Sequence, residues 1–173
     1  STHWPKNMGG KLTLFPEKIL ESLNGIYDFR YHDYHDGELP LGINKNDDVP
    51  EVESIEPKKH TIRMDSKNRW REGNLIHSVI NNRTANRYQF APTIKCTGVQ
   101  KIEIRHFSDY VEFSIDDKFF GSVFHHGIDM VYEYTNCVRE LAINDGFDSI
   151  EHFLQWFDKD FTGKIIHWTD LKY

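Results

Sequence analysis

The sequence has no apolar run approaching the roughly 20 residues a bilayer-crossing helix requires, so no membrane partner is expected. It has no G-x-G-x-x-G, no strand–helix alternation and no internal repeat, which argues against a doubly wound nucleotide fold and against a solenoid. Cysteine is scarce. Cys96 and Cys137 are too few for a disulfide framework, and the expectation is two reduced thiols in a cytoplasmic chain, with a single bridge as the alternative. The opening STHWPKNMGG lacks both an apolar segment and an Arg/Ser-rich amphipathic pattern, so no signal or transit peptide is expected. Positive charge is in the minority, with 21 Lys and Arg against 27 Asp and Glu, a net charge of −6. That excess opposes unselective coating of long double-stranded DNA.

What is present is a folding composition: 38% hydrophobic and 14% aromatic residues over 173 positions, enough for a single domain spanning 1–173 with a real core. The charge is unevenly placed. Lys58 to Arg105 carries 11 basic and 3 acidic residues, while 106–173 carries 5 basic and 13 acidic. A positive central third inside an acidic chain suits a local anionic ligand, unless those cations are consumed by acidic neighbours.

Periodicity gives a coarse map. KLTLF (11–15) alternates like a short strand. PEKILESLNG reads as a helix, with Pro16 in its first turn, Ile19, Leu20 and Leu23 on one face and Asn24-Gly25 as the stop. Residues 26–56, rich in Asp, Glu, Asn, Gly and Pro, are too long for an ordinary connection and read as an acidic insertion with Tyr27, Phe29, Tyr31 and Tyr34 near its start. HTIRM (60–64) reads as a strand with Ile62 on one face and Thr61 and Arg63 on the other. LIHSVI (75–80) reads as one strand, and 93–107 as one long strand with Gly98 at a bulge. YVEFSID and KFFGSVF form a hairpin across Asp116-Asp117. A helix is expected over 130–143 and is ended by Asp145-Gly146. Another runs over 148–161, with Asp148 as N-cap and Glu151 completing a capping box. KIIHW (164–168) reads as the last strand, closing the sheet. The sum is an α+β domain on a small, mostly antiparallel barrel or sheet.

The chemistry-bearing residues cluster in the basic third. Thr61 is a nucleophile only if a base takes its proton, and Lys58 is that base only if burial or neighbouring positive charge holds it neutral. Arg63 can hold an anionic or carbonyl oxygen. Arg83 and Arg87, in NNRTANRYQF, offer phosphate contacts, Gln89 can read a base edge, and Trp70 is a stacking platform or a loop anchor. His32, Asp33, His35 and Asp36 in YHDYHDG have metal-ligand chemistry, as does His125-His126. Neither set has an identifiable distant partner ligand, so no metal and no cofactor are assigned.

Taken in order, FPEKILESLNG, KKHTIR, NDGFDSIEHFLQWF and KIIHW resemble the ASCH family over residues 11–25 and 57–173. The resemblance implies a PUA-like fold, a small β-barrel flanked by helices, here with 26–56 as an insertion after the first helix. It implies recognition of a nucleotide, a modified nucleoside or RNA. In one bacterial branch it implies amidohydrolase chemistry, removing the acetyl group of N4-acetylcytidine. Lys58, Thr61 and Arg63 match that branch's Lys-x-x-Thr-x-Arg, and its downstream glutamate falls on Asp145, one methylene shorter. Two other functions stay open: a non-catalytic RNA- or nucleotide-binding module, and a protein–protein adaptor that uses the acidic insertion.

Overall fold

The computed structural model describes residues 3–11, 13–23, 55–126 and 131–173. The insertion, the tyrosines of 27–34 and the His32–Asp36 cluster lie outside the described residues, apart from residues 55 and 56 of the insertion. A 3-10 turn at Lys6–Met8 precedes helix α1, Phe15–Leu23. Ten strands follow, with two helices among them. β1 is His60–Arg63, β2 Leu75–Ile76, β3 Val79–Ile80, β4 Tyr88–Gln89 and β5 Ile94–Lys95. β6 is Gly98–His106, β7 Tyr110–Ile115, β8 Lys118–His126 and β9 Val131–Tyr134. Helices α2, Asn136–Asn144, and α3, Ile150–Trp156, come before β10, Phe161–His167.

Six strands make one antiparallel sheet in the order β1-β10-β6-β7-β8-β9, curled into a half-barrel in a mixed α+β fold. β2–β5 and β3–β4 are separate two-stranded patches. Among the described residues no helix is long and apolar enough to cross a membrane. The alternation of β6 and β7 sends Ile102, Ile104, Val111 and Phe113 inward, all fully buried, to meet Val138 and Leu141 of α2 and Phe153 of α3. Each such side chain contributes roughly 1.5–3 kcal/mol by leaving water. A second cluster joins Leu20 and Leu23 of α1 to Ile80, Phe90, Ile94 and Trp168. The β7–β8 hairpin turns on Asp116 and Asp117, with φ of 50° and 64°. Left-handed residues at both turn positions match the twist of the strands, and aspartate tolerates that region better than most side chains.

Several sequence expectations are corrected. KLTLF is not a strand at its described positions: Leu14 is left-handed, with φ 52°, and turns the chain straight into α1, whose first bond runs from Lys18 N to Leu14 O. LIHSVI divides into β2 and β3 because its partner chain is also interrupted, at Phe90–Thr93, where Pro92 has no N–H to give. The long 93–107 strand likewise divides at Cys96-Thr97. There Cys96 N bonds back to Asn74 O while Thr97 N already reaches His167 O. Gly98 opens β6, and the bulge lies instead at Phe113/Ser114. Of the expected helix over 130–143, the part at Val131–Tyr134 is strand β9, since VYEY is built of β-forming residues and β8 supplies a free edge. The N-cap of α3 is Ser149, not Asp148, and its hydroxyl accepts from His152 N. β10 lies inside the sheet between β1 and β6, not at its closing edge.

Candidate functional site

The site is organised by the edge of β1. One side of this strand pairs with β10, placing His60 against His167, Thr61 against Ile166, Ile62 against Ile165 and Arg63 against Lys164. The other side has no strand partner among the described residues, and the donors of the strand and of the two residues before it are satisfied one at a time. Lys58 N reaches Lys18 O at 2.9 Å, Lys59 N reaches Asn144 O at 2.8 Å, and Ile62 N reaches the Asp145 carboxylate at 3.1 Å. Asp145 is in place because α2 ends there. Its N–H closes on Leu141 O, and Gly146, at φ 90°, reverses the chain. Only glycine fits at 146, since a Cβ there would stand 2.9 Å from Lys58 Cδ and 3.0 Å from the Phe15 ring.

Lys58 and Asp145, distant in sequence, meet. The Lys58 amine donates to Asp145 Oδ1 at 2.5 Å and to the Asp145 carbonyl, and it sits 4.9 Å from the centre of the Phe15 ring. Both residues are only 4% exposed. Burial pushes the amine down and the carboxyl up, while each opposes the other's shift through their mutual attraction. A second buried lysine does parallel work, with Lys18 Nζ donating to Gly146 O at 2.8 Å and to Asp148 Oδ1 at 2.5 Å. Two ammonium groups thus sit on the carbonyl-rich end of α2, where the helix dipole favours positive charge.

The other proposed catalytic residue is Thr61. Thr61 is half-buried on the opposite face of β1 from His60 and Ile62, beside Arg63, and the hydrogen bonds of the Lys58 amine go to Asp145 and not to Thr61. Arg63 is exposed; its charge adds to burial in lowering Lys58. Arg83 and Arg87 lie on the fully exposed loop 81–87. Gln89 turns inward, donating to Ala91 O at 3.0 Å and Thr93 Oγ1 at 3.1 Å. Trp70 is half-buried and its N–H is held by Asp65 Oδ2 at 2.9 Å, in a loop braced by Lys164.

Sequence reasoning missed a buried polar chain behind the pair. His60 Nδ1 stands 3.7 Å from Asp145 Oδ1, and its Nε2 is 2.7 Å from the Tyr173 hydroxyl, which also accepts from Asn144 Nδ2 at 3.0 Å. With the Tyr173 O–H given to Nε2, the Nδ1–H faces Asp145. His167 packs edge-on against His60 at 5.5 Å and has no hydrogen-bond partner at either ring nitrogen among the described residues. Burial, with the charges of Lys58 and His167 adding to it, holds His60 well below the ordinary histidine range. Burial together with Lys172 brings His167 to about 4. Only the β1–β10 register brings these histidines side by side, and nothing in the local sequence marks it.

The charge balance of the basic third is now explicit. Of its 11 basic residues, Lys58, Lys101 and Arg105 are in ion pairs. The remaining eight, from Lys59 to Lys95, form none among the described residues, where the other lysine pairs are those of Lys18 with Asp148 and Lys164 with Asp65. Among the described residues no group of three or more His, Cys, Asp or Glu is placed to hold a metal ion. Comparison with family models, curated proteins and solved structures gives no match.

Proposed function

We propose that the chain is a PUA-like ASCH domain acting as a non-catalytic binding module for a nucleotide or single-stranded RNA. The phosphates are held by Arg63, Arg83 and Arg87, and Lys58–Asp145 acts as a buried strut. The observation that supports this reading is the set of eight basic side chains from Lys59 to Lys95 that form no ion pair among the described residues, in a protein whose net charge is −6. Cations left without partners on exposed loops are free to exchange their counterions for phosphates. Lys58 supports the same reading from the other direction. A general base must be within reach of the proton it takes, and the hydrogen bonds of this amine go to Asp145.

The hydrolase reading shares these residues, so one preparation tests both. Fluorescence anisotropy of a labelled oligouridylate is expected to show binding that weakens as salt rises. N4-acetylcytidine incubated with the same protein is expected to stay intact. Deacetylation that disappears in Thr61→Ala would overturn the non-catalytic assignment, and an oligouridylate and a free nucleotide that both fail to bind at low salt would overturn the module itself.

A further inference from the structure

The strongest feature outside the site lies on the outer face of the sheet, at the end away from β1. Phe107, Tyr110 and Phe124 form a continuous ring stack. Phe107 and Tyr110 are 4.5 Å apart and 13° from parallel, and Tyr110 and Phe124 are 5.5 Å apart and 28° from parallel. Phe107 is 47% exposed and Phe124 41%. Tyr110 and Phe124, in register on β7 and β8, and Phe107, in the β6–β7 connection, do nothing for the core, which is filled from the other face by Val111, Phe113 and Val123. The surroundings of the stack are acidic. Asp109 lies in the turn beside it, Glu112 is two residues along β7 on the same face, and Glu133 of β9 stands opposite Phe124. Arg105 is the cation facing Glu112 across the strands, and its ion pair is with Glu103.

Carboxylates around exposed ring faces repel phosphate and attract guanidinium or ammonium groups, which also bind ring faces directly. The molecule carries the complement itself. Loop 81–87, between β3 and β4, projects Arg83 and Arg87 into solvent, with neither in an ion pair among the described residues. It is held in shape by its own bonds: Thr84 Oγ1 to Asn81 O at 2.8 Å, Asn86 N to Thr84 Oγ1 at 3.2 Å and Arg87 N to Thr84 O at 3.2 Å. A braced loop loses little freedom on docking.

From these two surfaces we infer that the Phe107–Tyr110–Phe124 face is a docking site for a second copy of this chain, which inserts Arg83 and Arg87 of its 81–87 loop onto the rings and between the carboxylates. The contact is head-to-tail, so each chain keeps one free loop and one free face, and assembly closes into a ring or continues as a filament. Because that loop also belongs to the phosphate-binding surface, RNA and the second copy compete for it. The association itself does not depend on the RNA reading.

Sedimentation without RNA tests this. Wild-type mass is expected to rise with concentration up to about 100 µM and to fall back between roughly 0.05 M and 0.5 M salt, as screened charges require. Two variants are then compared, Phe107→Ser/Phe124→Ser and Arg83→Glu/Arg87→Glu. All four positions are exposed, and circular dichroism checks their folding. Each variant alone is expected to associate at least ~10-fold more weakly. Mixed together, one supplies an intact loop and the other an intact face, so a one-to-one complex is expected. A wild type that stays monomeric throughout overturns the inference, and so does association that survives in both variants or a mixture that forms no complex.

Discussion

The six-stranded sheet and the basic loops between β1 and β6 treat charge in opposite ways. In the sheet and its helices, charge is spent on structure. Lys58 and Lys18 hold the end of α2, Lys101 and Arg105 share Glu103, and Asp116 accepts from Lys101 N at 2.8 Å. In the loops, four two-residue strands organise the backbone, and six exposed cations, Lys67, Arg69, Arg71, Arg83, Arg87 and Lys95, form no ion pair among the described residues. One basic stretch therefore divides at its start. Lys58 is paired with Asp145 inside the fold, and the cations from Lys59 to Lys95, which form no ion pair among the described residues, are the ones proposed to meet a ligand. A lysine that belongs to the fold costs stability when disturbed, whereas an arginine that belongs to a ligand costs affinity.

The sharpest way to break that contrast is at Asp145. Asp145→Ala leaves the Lys58 amine buried and unpaired and the Ile62 N–H without an acceptor, so urea denaturation is expected to show a loss of ~3–5 kcal/mol. Lys58→Met/Asp145→Leu together is expected to recover part of that loss, since the coupling of touching residues is not additive. A double-mutant cycle that returns no coupling would remove Lys58 from the structural side of the comparison.

Acid comes next. His60 and His167 have folded pKa values depressed from 6.5, His167 to about 4. Between pH 6.5 and about 4 the unfolded chain takes up protons that the folded chain refuses, so stability falls as pH falls through that window. Melting temperature followed down that range is expected to drop, and to drop less in His167→Leu. An equally steep fall in that variant would assign the acid sensitivity to other groups. A smaller effect is expected at Ser149→Ala, which removes the cap of α3 at about 1 kcal/mol. Arg83→Ala/Arg87→Ala is expected to change stability by less than ~0.5 kcal/mol, as for substitutions of exposed residues. A large loss there would place the loop cations among the structural ones.

What was legible in the sequence follows how local the cause is. The β7–β8 hairpin, α1 and the buried stripe Phe147, Ile150, Phe153, Leu154 and Phe157 were readable, because turn chemistry and period act within a few residues. The meeting of Lys58 with Asp145 was not readable from local pattern, because the residues lie far apart in sequence and meet only where α2 ends. The split of LIHSVI and the strand at Val131–Tyr134 were not, because each depends on a partner strand elsewhere. The position of Thr61 on the face opposite Ile62 followed from strand alternation, but the destination of the Lys58 amine did not, because Gly146 and Phe15 set it from distant parts of the chain.

The most direct test of the division of charge is the salt dependence of oligouridylate binding by the wild type and by Arg83→Ala/Arg87→Ala. Each phosphate contact on a single strand contributes about 0.7 to the slope of log K against log salt. The account predicts that the double variant binds more weakly and that its slope is shallower by about 1.4, with folding unchanged. Equal slopes for the two proteins, or binding indifferent to salt, would contradict it.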